Sequence, residues 1–287
     1  MNQDYQEYCS EGAHCTARML QITEQVSLRV FSFTPASASG NMPIVIVSGL
    51  STILESFRQI LLELTRDFTV HYIETREKQS SQIRGQVQYD IETLGQDIVS
   101  IVQTLGLEDN QYALMGYSFG ASAIADGYPN LISKPRYILF MQPTPVFHYP
   151  QWSLLLIKWL GVPLFPVMKP VAKWYISRFR INKKEDPEMA VISGRALDNA
   201  DPRKLRNTIM AISKYEAWDK LGAIQCPTLI VATSKDSLHI HDEIIRMVSL
   251  IKNSSVVDLE TSDRTHGAEM ASIIKNFVNG ASQKTDV

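Results

Sequence analysis

Gly116-Tyr117-Ser118-Phe119-Gly120 is the stretch of this sequence best suited to chemistry. An apolar run, 112–115, leads into it and small residues compatible with a helix lead out, so a serine would stand at a sharp strand-to-helix turn. Side chains at either glycine would collide with adjoining elements, and the hydroxyl would be held above a sheet with the partial positive charge of a helix N-terminus beside it. Such a serine could attack an electrophilic carbon. Near neutral pH it needs a base to take its proton and a third group to orient that base. Six histidines could serve: His14, His71, His148, His239, His241 and His266. His14 precedes the first predicted strand, His71 falls inside one, and His148 opens a region of different character. His266, in Asp263-Arg264-Thr265-His266-Gly267, lies between the last predicted strand and the last predicted helix; His239 and His241 follow an earlier strand and compete with it. Several carboxylates could be that third group: Asp236, which closes the segment Val231-Ala232-Thr233-Ser234-Lys235-Asp236 after that same strand, and Asp126, Asp242 and Asp263, each of which reads more simply as a solvated helix or loop residue.

The elements that must position these groups alternate between strand and helix. Residues 17–23 and 26–33 read as an antiparallel hairpin, and Ile44–Val47 as a strand buried on both faces. Thr52 and Glu55 have capping-box spacing ahead of a helix with Phe57, Ile60, Leu61, Leu64 and Phe68 at helical intervals. A strand at 69–73 follows, then a polar stretch, 74–88, that reads as a loop. Asp90 opens a second helix that Gly106 ends. Strands at 112–115 and Tyr137–Met141 flank the helix after Ser118, and this βαβ order requires a mostly parallel sheet. From 147 to 220 no strand is evident; this stretch holds all four tryptophans and carries a net charge of +6, leaving −8 on the rest. It reads as a helical insertion. The alternation resumes with Thr228–Ala232, a helix near 242–250, a strand at 256–259 and a helix from Gly267 to just before Gly280.

With the elbow placed inside this alternation, the chain resembles the α/β-hydrolase fold family over about residues 17–279. The resemblance implies a mostly parallel central sheet flanked by helices, a core split into 1–146 and 221–287, and a helical cap at 147–220. It implies roles residue by residue: Ser118 as nucleophile, His266 as base, and Asp236 as the acid that orients it, in the chain order Ser, Asp, His. An oxyanion hole would take one backbone N–H from Phe119 and the other from Leu50 in Ser48-Gly49-Leu50-Ser51. Ser48 stands where the family usually has histidine, so the support of that loop must differ; Ser51 reads as the start of a helix cap. The strand ending Phe140-Met141-Gln142-Pro143 lacks the carboxylate that some branches place there.

The activity implied is serine hydrolysis of a carboxylic ester or related small-molecule acyl compound through an acyl-enzyme. A thioesterase or acyltransferase working on carrier-bound acyl groups is the nearest alternative, and a non-catalytic ligand-binding protein of the same fold is another. Composition narrows the field further. With 287 residues, 45% apolar and 20% charged, the chain can build a large buried core. A formal charge of −2 excludes a strongly basic nucleic-acid binder. No Gly-x-x-x-x-Gly-Lys loop and no metal-ligand spacing occurs, so neither a cofactor nor a metal is expected. Cys9, Cys15 and Cys226 suit a reducing compartment, and residues 1–7 lack a signal-peptide pattern, so a cytoplasmic location is expected. The apolar run 152–168 is broken by Lys158, Pro163 and Pro166 and reads as a greasy surface element, not a membrane span. Most of Trp152, Leu155, Trp159, Leu164, Phe165, Trp174 and Tyr175 are expected to pack the cap onto the core. A sharper reading has part of that surface line an acyl pocket or rest on a membrane interface, with Lys158, Lys169, Lys173, Arg178 and Arg180 facing phosphate groups, and under the thioesterase alternative the basic insertion could meet an acidic acyl carrier protein.

Overall fold

Period-two alternation of apolar residues decides how the sheet is sandwiched. The computed structural model describes residues 5–37, 40–175, 187–235 and 240–280. Strands β1 (His14–Thr23) and β2 (Val26–Thr34) form the expected hairpin, which starts three residues earlier than predicted and so takes in His14. β3 (Ile44–Val47) is followed by helix α1 (Arg58–Leu64), β4 (Val70–Ile73), the short β5 (Gln82–Ile83) and helix α2 (Ile91–Thr104). Then come β6 (Ala113–Tyr117), helix α3 (Phe119–Gly127) and β7 (Tyr137–Met141). Five helices follow: α4 (Gln151–Leu160), α5 (Phe165–Tyr175), α6 (Pro187–Asp198), α7 (Pro202–Ile212) and the short α8 (Trp218–Leu221). The chain closes with β8 (Thr228–Ala232), α9 (Ile240–Leu250), β9 (Ser254–Asp258) and α10 (Ala268–Val278).

The sheet order is β1-β2-β4-β3-β6-β7-β8-β9, with β5 paired to β2; β1, β2 and β5 pair antiparallel and the other neighbours are parallel. Val45 and Val47 of β3 and Leu114 of β6 face the layer of α2, α3 and α9, while Ile44, Ile46, Ala113 and Met115 face that of α1 and α10. Between β3 and β6 the order reverses, since the chain leaves β3 toward β4 and returns on its other side. Open parallel sheets place their crevice at the carboxyl ends beside such a point. The loops after β3 and β6 both end there.

Four readings of the sequence need correction. Asp90 caps α2 as expected, accepting the Thr93 N–H at 2.8 Å, but the capping box at Thr52 does not form. A 3-10 turn, Leu54–Phe57, precedes α1 instead, with Ile53 at its N-cap and no side-chain cap bond. Ser51 is correspondingly no helix cap; it sits in a turn at φ 55°. The polar stretch after β4 is not a solvated loop. Glu74, Thr75, Arg76, Glu77, Lys78 and Ser81 are all buried; Glu74 pairs with Arg29, Arg76 with Asp97 and Lys78 with Glu77, and the Ser81 hydroxyl donates to the Arg76 carbonyl. Asp126 is likewise buried in α3, accepting from the Tyr215 hydroxyl at 2.9 Å.

The helical segment between β7 and β8 has no strand among its described residues, and its apolar residues are arranged contrary to expectation. Trp152, Leu155, Trp159, Leu164 and Trp174 are exposed, and in α4 Leu154 alone is buried. The side chain of Tyr175 lies outside those described, as do Arg178 and Arg180. Among the described residues no helix is long and apolar enough to cross a membrane. The segment is tied to the sheet's carboxyl end: Lys78 and Ala200 form an antiparallel bridge, Arg195 pairs with Glu55, and Lys204 reaches the loop after β4.

Candidate active site

Backbone crowding holds Ser118 in its conformation. Its φ of 49° with ψ of −111° is a region that a non-glycine residue seldom enters. The flanking glycines explain how the turn closes. A Cβ at Gly116 would stand 2.6 Å from Ala121 Cα, and one at Gly120 would stand 2.4 Å from the Val47 carbonyl oxygen. The Ser118 N–H donates to the Met141 carbonyl at 2.8 Å, pinning the turn to β7. The Ser118 hydroxyl is partly accessible and shares a 3.1 Å hydrogen bond with Thr144 Oγ1, in the loop after β7.

Close approach at Gly120 also brings α3 against the end of β3. The same Cβ would lie 2.9 Å from the Ser48 carbonyl, so the backbone at Phe119 and the loop 48–51 meet at one place. As the first residue of α3, Phe119 has an N–H without an intrahelical acceptor. Gly49 is required because a Cβ there would meet Thr52 Oγ1 at 2.7 Å and Tyr117 Cδ1 at 2.9 Å. The Gly49 carbonyl accepts from the Thr52 N–H at 3.1 Å and from the Lys78 ammonium at 2.6 Å. Lys78 therefore supplies support to a loop that has Ser48 in place of histidine. The sequence gives little warning of this, since Lys78 sits in a stretch whose polarity suggests solvent.

His266 ends a 3-10 turn, Asp263–His266, ahead of α10. Its ring packs against Tyr117 at 5.0 Å between centroids and faces Phe57 at 6.0 Å, placing it beside the residue that precedes Ser118. Nδ1 lies 3.1 Å from the Ser262 carbonyl and 3.1 Å from Thr265 Oγ1. The Thr265 hydroxyl gives its own proton to the Ser262 carbonyl at 2.6 Å, so both neighbours of Nδ1 act as acceptors. With Nδ1 carrying the proton, Nε2 is the ring nitrogen whose lone pair can act as a base.

Gln142 ties the strand-end loops together. At φ 44°, its side-chain oxygen accepts from the Tyr117 hydroxyl, and its amide donates to Thr233 Oγ1 at 3.0 Å and to Ser262 Oγ. Asp236, together with His239, lies outside the described residues, and the side chain of His241 in α9 is likewise not described. The chain is described up to Ser234 and Lys235, whose N–H groups bond Asp258 Oδ1 at 3.1 Å and the Glu260 carbonyl at 2.8 Å.

The remaining histidines have other surroundings. His71 is held within the sheet against Ser32 Oγ at 2.9 Å, and burial pushes its pKa down to about 4. His148 pairs on the surface with Glu243 at 2.9 Å. Burial raises the pKa of the Cys226 thiol to about 11, which suits an inert side chain.

No family model matches the chain, and no curated protein matches it in sequence. Solved structures do. An esterase from Exiguobacterium antarcticum superposes with a TM-score of 0.76 at 15% identity, covering 92% of this chain and 100% of that one. A thermophilic esterase from Thermogutta terrifontis gives 0.73 at 16%, covering 93% and 100%. A bromoperoxidase from Bacillus anthracis gives 0.72 at 14%, covering 92% and 100%. At such identities the likeness is one of fold.

Proposed function

Because the chain has the α/β-hydrolase fold, we propose that it is a serine hydrolase acting on a carboxylic ester through an acyl-enzyme. The observation that carries this reading is the backbone of Ser118, held at φ 49° between a buried strand and a helix N-terminus. Ser118 Oγ attacks the acyl carbon while His266 Nε2 takes its proton. The carbonyl electrons move onto oxygen, and the resulting oxyanion is met by the N–H groups of Phe119 and Leu50. Collapse expels the alcohol, which receives the proton from His266. Water, deprotonated by the same histidine, then attacks the acyl-enzyme and releases the acid. The Ser262 carbonyl and Thr265 set the histidine tautomer. Asp236, which follows β8 in the sequence, supplies the carboxylate that stabilises the imidazolium, and the helical segment 147–220 acts as a cap whose fold sets the acyl pocket.

A series of chromogenic esters of increasing acyl chain length tests the reading. It predicts a burst of about one chromophore per enzyme, followed by slower steady turnover limited by deacylation. Absence of both burst and turnover across the series, while the protein binds the esters, favours a ligand-binding role instead.

A further inference from the structure

We infer that Lys78 is a positioning residue for the oxyanion donor, and that Ala200 and Lys204, at the start of α7, set its position. This rests on the serine-hydrolase reading above. A peptide unit is planar and trans, so the carbonyl of Gly49 and the N–H of Leu50, which belong to the same unit, point in opposite directions. Gripping that carbonyl with an ammonium at 2.6 Å therefore aims the Leu50 N–H the other way. The grip is charged and buried. Lys78 also pairs with Glu77 at 2.6 Å, with side-chain exposures of 7% and 1%. Its backbone is held from the far side of the crevice. Ala200 bridges it, and the Lys204 ammonium donates to the Lys78 carbonyl at 3.0 Å, the Ser81 carbonyl at 2.7 Å and Ser81 Oγ at 2.8 Å. A displacement of α7 would pull on the segment that carries Lys78, and through it on the Gly49–Leu50 peptide.

Lys78→Met should lower kcat by about 10²-fold, the scale of losing one oxyanion donor, with KM changed less than about twofold. Affinity for a boronic acid, which forms a tetrahedral adduct, should fall in step with kcat/KM. Lys204→Met, outside the buried ion pair, should move both quantities the same way by a smaller factor and serves if Lys78→Met does not fold. If Ser118→Ala is inactive while the folded lysine variants keep kcat within twofold of the parent, the inference is overturned and the serine reading stands. If Ser118→Ala keeps its turnover, both fall.

A separate observation concerns α4 and α5. Trp152, Leu155, Leu156 and Trp159 recur at i, i+3, i+4 and i+7, which is one stripe of a helix, and that stripe faces outward. Trp152 is 67% exposed, Trp159 71% and Val167 69%, and Leu160 and Leu164 extend the patch. Soluble monomers rarely leave so much contiguous apolar surface in water. Residues 151–175 contain three lysines and no carboxylate. Lys158 lies over the Trp159 ring at 5.4 Å, and Lys169 over Phe165 at 5.9 Å, so ammonium groups rim the patch; Lys169 and Lys173 also pair with Asp198. We propose that this face docks on a bilayer surface containing anionic lipid, with the tryptophans in the interfacial layer and Lys158 among the headgroups.

Sedimentation with vesicles of phosphatidylcholine, with and without phosphatidylserine, tests it. Binding should be stronger to the anionic vesicles, should shift tryptophan emission to the blue, and should fall about tenfold or more in Trp152→Ser/Trp159→Ser. Lys158→Gln should cost about fivefold on anionic vesicles, as one lysine near such a surface contributes about that factor. Failure to bind either vesicle overturns the proposal, as does a dimer abolished by the double substitution or binding of an acyl carrier protein to this face in place of vesicles.

Discussion

Ser118→Ala should reduce ester turnover by roughly 10⁶-fold, the scale of removing the nucleophile from a preformed site of this kind. The loss should appear in kcat, while ester binding persists, because the residue touches the reacting carbon rather than the bulk of the acyl group. Only the hydroxyl is removed: the backbone conformation at φ 49° is fixed by the approach of Gly116 to Ala121 and of Gly120 to Val47, neither of which involves the Ser118 side chain. The unfolding midpoint should therefore remain near that of the parent. The Thr144 hydroxyl, which shares a hydrogen bond with Ser118 Oγ, loses its partner. A water molecule can take that place at a partly accessible position, which keeps the stability cost small.

The largest loss of stability is expected from Asp97→Ala. Asp97 in α2 meets Arg76 through two bonds, Nε to Oδ2 at 2.5 Å and Nη2 to Oδ1 at 2.7 Å, with side-chain exposures of 4% and 6%. Burial raises the Asp97 carboxyl pKa even though Arg76 pulls it down, so desolvation outweighs the attraction. An intact pair of this kind contributes little net stability, yet removing one partner strands a buried charge. Arg76 would keep only its bond to the Gln88 carbonyl at 3.0 Å among those described. The expected cost is about 3–5 kcal/mol, seen as a lower urea midpoint with an unchanged slope. A change below about 1 kcal/mol would mean that the guanidinium finds water or another partner, and that the stretch after β4 is less tightly held than its burial indicates.

Features legible in the sequence are those written in short windows. The unbroken apolar runs Ile44–Val47 and Tyr137–Met141 mark buried strands, and Gly116-x-Ser118-x-Gly120 marks a turn in which both glycines prove sterically required. What escaped depends on distant partners. Arg76 is buried because Asp97 lies opposite it on another element, and Lys78 because Gly49 and Glu77 surround its ammonium. No local pattern distinguishes such a stretch from a solvated loop. Gln142 and Thr144 escaped for a related reason, since a glutamine and a threonine after a strand acquire meaning only once the loops of Ser262 and Ser118 close on them. The helical segment misled in the opposite direction. Its tryptophans and leucines have the composition of a core, and composition does not say which way a helix turns its apolar stripe. Asp236 was reached by resemblance alone and lies outside the described residues.

Treatment with a fluorophosphonate, followed by peptide mass spectrometry, reads the nucleophile without knowledge of the substrate. An activated Ser118 should give one adduct per chain, on that residue, forming far more slowly when His266 is replaced by alanine. An adduct on another side chain, or none on folded protein under conditions that label a known serine esterase, would contradict its role as nucleophile.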